Sequence, residues 1–436
     1  MAKIMPFKGY RYNSVKIPEL GRVIAPPYDS ISDEEQQNLY ELSENNIVRL
    51  MLGASHPNDT ERNNKYTRSA ALLKEWISEQ VLVQEDAPAI YLYEQIVPLD
   101  KVQMHSSMGF VALLELEDFS GDSIMPCEES VRVAKTDRYN LVSATNANFG
   151  MINCIYSDNE KVLSSVMSEI SETEPDMNFT AENGVTHRVW AITYEPTIKI
   201  IQNSVINKHI VVADGQNRYE ACLEYAKMMR KSNPDHNGQE GYNYIMTLFS
   251  NIDNDDMLQR PVYRLVNQPK FKADYIVACA QDHFKVEKII VDDDMNELVN
   301  TMKKQIATQR KENKIAFYCG GNYFYRFTLT DREYLKTLLP DKSDAYRSLD
   351  ITVLNYLILQ ELLNINESNY YERITYTKEI EPAVDSVQNG EYDCVFLINP
   401  TRANQITEIA ARGEKMPERS VCIFPKPATG IITYKY

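Results

Sequence analysis

Three stretches of this chain carry residues whose types and spacing could do chemistry. The first is "HIVVADGQNRYEACLEYAKMMR", His209 to Arg230, in which the apolar run Ile210 to Ala213 meets a polar turn and an amphipathic helix is predicted to follow. The first turn of a helix presents unpaired N–H groups, so a strand-turn-helix of this kind can receive an anion such as phosphate. Asp214 ends the strand, and Gly215 lets the backbone approach a ligand or take a positive φ. Gln216 and Asn217 are donors at the helix start, and Arg218 can fork onto a phosphate or carboxylate. The plainer reading is that Asp214 caps the helix and Arg218 pairs with Glu220 or another neighbour.

The second stretch, "PCEESVRVAKTDRYN", puts Glu128 and Glu129 near Arg132, Lys135, Asp137 and Arg138. Such a loop can hold a metal-bound phosphate between carboxylates and cations; as a bare charge run it is a solvated face with weak ion pairs. The third is "APPYDS", Ala25 to Ser30, where two prolines fix the backbone and so aim Tyr28 and Asp29. The glycines of "CGGN" are not a phosphate loop, since no Lys-Ser/Thr follows, and a hairpin turn is predicted there.

The elements that must position these residues follow from periodicity. "GRVIAPPYDSIS" reads as a strand stopped by Pro26 and Pro27, then a helix from Asp33 to Leu42 with Ser32 as N-cap, and "NIVRLML" as a returning strand. A helix is predicted within Thr60 to Glu79, followed by neighbouring strands in "AIYLYEQIV" and "MGFVALLEL". A short helix leads from the second candidate site into a strand; "THRVWAIT" and "KHIVVAD" are further strands, and "YNYIMTLFS" and "PVYRLV" follow the Asp214 helix. From about 267 to 347 the chain runs helix, strand, helix and hairpin, a unit able to fold as an insertion. "LDITVLNYLILQELL" is then a strong helix. The order predicts an α+β (mixed α/β) fold: a mixed sheet with flanking helices, interrupted by a smaller α+β subdomain. The expected divisions are a main core over 1–266, the insertion over 267–347, and 348–436 returning to the core.

Composition narrows the partners. At 436 residues the chain exceeds one small core, and 43% hydrophobic with 25% charged residues is ordinary for a globular protein. No long uncharged apolar run is present and mean hydropathy is -0.42, so no membrane-spanning helix is expected. The start, "MAKIMPFKGYRYN", carries no apolar stretch suited to a signal peptide, and a cytoplasmic location is expected. A net charge of -16 argues against nucleic acid as partner, whose affinity for proteins comes largely from cations on phosphate. The seven cysteines lie far apart without a C-x-x-C pair, neither a zinc site nor a disulfide framework. The 28 tyrosines against 13 phenylalanines fit amphipathic packing at half-buried positions.

Taken in order, "PFKGYRYN", "APPYDSIS", "NIVRL", "CEESVRVAKTDRYNLVSATNANF", "HRVW", "VADGQNRYEA", "IMTLFSNIDNDDMLQRPVYRLV", "LDITVLNYLIL", "LINPT" and "GEKMPERSVCIFPKPATGI" resemble the microbial proteins grouped as domain of unknown function 1015. A second, local resemblance is of the "ADGQNRY" turn to the D-G-H-H-R turn of ParB/sulfiredoxin-like proteins, some of which phosphorylate free serine. That resemblance implies a nucleotide-binding or phosphoryl-transfer site at Asp214–Arg218, with Arg218 as phosphate clamp and an acidic residue as base. Loop 128–138 would be its companion.

The family pattern carries histidine at five places that here hold Cys127, Gln216, Asn217, Tyr263 and Asn355. Glu128, Asp137, Arg138, Asp214, Arg218 and Arg264 remain, as does His187. Gln and Asn keep hydrogen bonding but lose proton transfer and most metal affinity. The expected protein therefore binds a phosphorylated small molecule, a nucleotide above all, and derives from a small-molecule kinase, diverged or inactive. Asp29, Glu128 or Asp214 would serve as base or magnesium ligand. Asp137, Arg138, Gly215, Gln216, Asn217, Arg218 and Arg264 would hold the ligand. The cofactor expected is ATP or ADP with Mg2+, or else none, and a homodimer is compatible with the sequence. The alternative is a non-catalytic regulatory or protein-interaction scaffold; DNA binding by analogy with ParB finds little support in the charge.

Overall fold

The computed structural model describes residues 1–99, 103–121, 123–128, 132–291, 294–307, 312–366 and 368–436. The chain forms two compact units, Met1–Leu258 with Ile423–Tyr436, and Gln259–Cys422. Both join sheets to helices, an α+β architecture.

Among the described residues the first unit contains a nine-stranded mixed sheet. Its strands are β1 (Ile4–Met5), β2 (Ile90–Pro98), β3 (Met104–Glu115), β4 (Ile124–Pro126), β5 (Ile152–Tyr156), β6 (Met177–Thr180), β7 (Thr186–Ile192), β8 (Ile210–Asp214) and β9 (Tyr244–Asn251). They lie in the order β4-β8-β5-β9-β3-β2-β7-β6, with β1 beside β3. The expected neighbours β2 and β3 pair antiparallel, Tyr91 opposite Val111 and Val97 opposite His105. β8 runs parallel to β4 and antiparallel to β5. One face buries Ile152, Cys154, Ile210 and Val212 with Tyr219, Cys222, Tyr225 and Ala226 of the Asp214 helix. The opposite face buries Tyr91, Tyr93, Val111 and Met246 with Ile431 and Ile432 of the C-terminal segment. Each such aliphatic or aromatic side chain contributes roughly 1.5–3 kcal/mol when fully withdrawn from water.

Around this sheet stand α1 (Asp33–Leu42), α2 (Val48–Met51), α3 (Lys65–Ser78), α4 (Arg132–Thr145) and α5 (Gln216–Ser232). Ser32 caps α1 as expected, its hydroxyl accepting from the Glu35 N–H at 3.1 Å. Two sequence expectations fail nearby. "NIVRLML" holds the helix α2 rather than a strand, with the Asn46 side chain accepting from the Val48 N–H at 3.0 Å just ahead of it. A short apolar run cannot by itself separate a buried helix from a strand. "GRVIA" makes no ladder strand either; its Ala25 forms an isolated bridge with Thr429, and Leu20–Arg22 is a single 3-10 turn.

The second unit is larger at both ends than the expected 267–347 insertion. Its six-stranded sheet consists of β10 (Tyr263–Val266), β11 (Phe284–Ile290), β12 (Lys314–Tyr318), β13 (Tyr323–Leu329), β14 (Ile374–Thr377) and β15 (Cys394–Leu397), ordered β11-β13-β12-β15-β10-β14. Strands on either side of the proposed insertion therefore complete its sheet, and a boundary through them would leave apolar edges open. Only Ile423–Tyr436 returns to the first unit. The "CGGN" segment is the expected hairpin turn between β12 and β13. The strong helix "LDITVLNYLILQELL" begins as α-helix at Asp350–Val353 and continues as π-helix over Leu354–Leu362. Five of the seven cysteines are buried. No helix among the described residues is long and apolar enough to cross a membrane.

One buried histidine ties the first unit's stability to pH. His187 on β7 is 2% exposed, with Nδ1 at 2.8 Å from the Tyr93 hydroxyl. Burial holds its pKa down at about 4, against an ordinary value of 6.5. The unfolded chain therefore takes up this proton first, so the contribution is intact above about pH 7 and is lost as pH falls from about 6.5 to about 4. Between about pH 7 and pH 5 the loss should reach ~2 kcal/mol. Urea unfolding of wild type and His187→Gln at both pH values checks this; an equal pH dependence in the two proteins would disprove it.

Candidate functional site

The candidate site is built in the first unit where three chain segments meet. β8 delivers Asp214. Its register against β5 shifts between Val212 and Asp214, a bulge that turns the strand end. Gly215 then takes φ +90°, and a Cβ there would come within 2.7 Å of Ile152 and 2.8 Å of the Arg218 guanidinium. Glycine is thus required both by conformation and by the close approach of Arg218. α5 starts at Gln216 and brings Arg218 back over the turn.

The second segment is "APPYDS". Pro26 and Pro27 lead into a 3-10 turn, Tyr28–Ser30, closed by the Ser30 N–H and hydroxyl donating to the Pro27 carbonyl at 3.0 and 2.7 Å. The third is the C-terminal segment. Ala25 and Thr429 exchange backbone hydrogen bonds at 3.1 and 2.8 Å, and the Gly430 N–H donates to the Phe149 carbonyl at 3.2 Å. These bonds carry Lys426 to the site from the far end of the chain.

Lys426 is the hub. Its ammonium stands 2.7 Å from Asp29 Oδ2 and 2.6 Å from Asp214 Oδ1, with all three side chains between 17% and 22% exposed. Burial works against the charged ammonium, but the Asp214 and Asp29 carboxylates outweigh it and raise its pKa above the ordinary lysine value. The other Asp214 oxygen accepts from Arg218 Nη2 at 3.0 Å, and Arg218 Nη1 donates to the Met151 carbonyl at 2.8 Å. Arg218 Nε is buried with no hydrogen-bond partner among the described residues.

Tyr28 links this cluster to α4. The Arg138 guanidinium lies 4.0 Å from the Tyr28 ring centre and that of Arg218 lies 5.9 Å from it. Such stacking is worth up to ~2 kcal/mol when withdrawn from water. Burial raises the Tyr28 hydroxyl's pKa, with Arg138 and Arg218 opposing. Arg138 Nη1 donates to the Met51 carbonyl at 2.9 Å. Asp137 is shared: its Oδ2 accepts from Arg138 Nε at 2.9 Å and from Nη2, while its Oδ1 faces Lys65 at 2.6 Å and the Tyr66 hydroxyl at 2.7 Å. Burial pushes its carboxyl up, but Arg138, Lys65 and Tyr66 prevail and hold its pKa down at about 2.

Beside Tyr28, Arg138 and Arg218 lies a cavity of about 50 Å³ whose remaining lining is mostly apolar, Met51, Leu141, Val142 and Phe149 among it; Asp29, Asp214 and Lys426 do not line it. A space of that size holds a few water molecules, or one group of comparable bulk such as a phosphate.

The structure thus brings Asp29, Arg138, Asp214, Gly215 and Arg218 together, with Asp137 beside Arg138. Gln216 is the first residue of α5; its Oε1 accepts from the Glu128 N–H at 3.2 Å and its Nε2 donates to Glu220 at 3.0 Å. Asn217 follows on the same turn. Glu129 lies outside the described residues, and of Arg132 only the helical backbone is described. Arg264 belongs to the second unit, where its guanidinium is fully buried and donates to the carbonyls of Val262, Glu418 and Arg419. Of the five positions lacking histidine, Cys127, Gln216 and Asn217 lie in the first unit; Tyr263 and Asn355 lie in the second. Sequence reasoning missed Lys426. Its one signal was the flanking prolines of "FPKPATG", which fix a backbone much as Pro26 and Pro27 do.

A mixed sheet whose strand end turns into a helix over an ion-paired arginine defines the class of site. The family model described as "Protein of unknown function (DUF1015)" matches residues 4–352, and the chain belongs to that family. Lys426 lies beyond the matched residues. Among solved structures the chain is similar to a conserved hypothetical protein from Pyrococcus furiosus, at 13% identity and TM-score 0.32, covering 75% of this chain and 93% of that one. A free serine kinase in complex with AMP is similar at 12% identity and TM-score 0.33, covering 69% and 84%. SbnI with a C-terminal truncation, from Staphylococcus aureus, is similar at 10% identity and TM-score 0.33, covering 72% and 82%. No curated protein matches the chain.

Proposed function

We propose that the first unit binds a phosphate-bearing small molecule, a nucleotide such as ATP or ADP, at the Asp214–Arg218 turn. The observation that carries this reading is the small cavity on which Arg138 and Arg218 converge, with Arg218 Nε buried and unsatisfied. An unsatisfied buried donor costs about 1–3 kcal/mol, and an entering phosphate oxygen would recover it.

If the site performs chemistry, it transfers a phosphoryl group to a small hydroxyl compound of the free-serine type. Asp29, Glu128 or Asp214 is then the base. One observation favours the non-catalytic alternative, a regulatory or interaction protein. Asp29 and Asp214 are both ion-paired with Lys426, so each already commits an oxygen to the ammonium. A magnesium ion held by this carboxylate pair does not fit the arrangement, because the ammonium stands between them. Among the described residues, no group of three or more His, Cys, Asp or Glu is placed to hold a metal.

Thermal unfolding with ATP, ADP, CTP and GTP, with and without Mg2+ and free serine, tests the reading. A ligand present at 100 times its Kd stabilises the native state by about 2.7 kcal/mol. Arg218→Ala should abolish the rise in Tm. An Arg218→Ala protein that binds nucleotide as tightly as wild type would defeat the site assignment, and formation of phosphoserine separates enzyme from binder.

A further inference from the structure

A divalent cation such as Mg2+ is commonly held by one or two carboxylates together with phosphate oxygens and water. Here the point between two carboxylates is filled by the chain itself. Asp29 Oδ2 and Asp214 Oδ1 both face Lys426 Nζ, at 2.7 and 2.6 Å. We propose that the Lys426 ammonium occupies the position of a divalent cation, so that the site carries a resident counter-charge and takes its phosphate ligand with no protein-held metal at this point.

The lysine is held firmly enough for that role. Pro425 and Pro427 flank it, Gln95 Nε2 donates to its carbonyl at 3.0 Å, and the Ala25–Thr429 bridge fixes the segment just beyond. An ammonium has three N–H donors, so it can meet a phosphate oxygen without giving up either carboxylate. A tethered ammonium also cannot leave with the product, as a hydrated Mg2+ can.

The nature of the ligand rests on the phosphate-site reading, but the test does not need a nucleotide. Mn2+ binding is followed by electron paramagnetic resonance on wild type, Asp29→Asn, Lys426→Met and Lys426→Met/Asp29→Asn. Wild type and Asp29→Asn should bind Mn2+ alike. Lys426→Met, which keeps the bulk of the stem, should gain a site at least about tenfold tighter, lost again in the double variant. Mn2+ binding by wild type that Asp29→Asn removes would overturn the proposal, and that comparison stands even if Lys426→Met fails to fold. A folded Lys426→Met protein that gains no site would overturn it equally. A nucleotide that fails to shift the wild-type Tm would count against the phosphate-site reading alone.

Discussion

Lys426→Ala should cost the first unit ~3 kcal/mol of stability at neutral pH, near the lower end of the loss seen when one partner of a buried ion pair is removed. The alanine leaves the Asp29 and Asp214 carboxylates facing each other across the space the ammonium filled, at positions 22% and 17% exposed. Two like charges so placed repel, and the pair relieves the repulsion by holding a proton. The deficit should therefore shrink as pH is lowered to about 5, and Asp29→Asn in the same background should recover part of it. Trp76 and Trp190, the chain's two tryptophans, both lie in the first unit, so their fluorescence follows this unit through urea unfolding. A loss under about 1 kcal/mol would show that the cluster is too well hydrated to act as a buried triad.

Arg264→Met should destabilise the second unit by ~3–5 kcal/mol. Arg264 is fully buried on β10, its neighbours across the sheet being Tyr376 and Phe396. Its guanidinium lies 5.0 Å from the Tyr376 ring centre and donates to the Arg419 carbonyl at 3.0 Å and the Glu418 carbonyl at 3.4 Å. Methionine preserves most of the apolar stem, so the loss reads mainly the carbonyls left without a donor, at about 1–3 kcal/mol each. With no tryptophan in this unit, calorimetry or hydrogen exchange must follow it, while the fluorescence transition of the first unit should stay in place. Should the second unit remain stable and the nucleotide response vanish instead, Arg264 would be the phosphate clamp that its sequence context implied.

The two substitutions separate two uses of a buried cation. Lys426 is balanced by two carboxylates that it need not release. Arg264 is held by neutral backbone oxygens of Val262, Glu418 and Arg419. The first arrangement leaves an N–H donor for an entering anion, whereas the second only fixes a loop.

Much of the candidate site's local geometry was legible in the sequence because its parts are local. A strand ending in Asp-Gly before an amphipathic helix announces the turn, and Gly215 takes the positive φ; Asp214, expected in the plainer reading to cap the helix, instead pairs with Arg218 at 3.0 Å. Pro26 and Pro27 likewise announce that Tyr28 and Asp29 are aimed. The α+β class follows from the alternation of periods, and the Ser32 cap from helix-start chemistry. What only the tertiary structure decided is which distant segments close the site and which strands complete each sheet. Lys426 stands 397 positions from Asp29, and no local pattern encodes that pairing. The helix at Val48–Met51 follows Asn46, whose side-chain amide is buried and donates to the Arg22 and Ile24 carbonyls, contacts no short window of sequence shows. The boundary at Leu258 and Cys422 depends on strands from both sides of the expected insertion sharing one ladder. Pairing of that kind lowers free energy only after the chain has paired remote segments, so it leaves no mark in any short window of sequence.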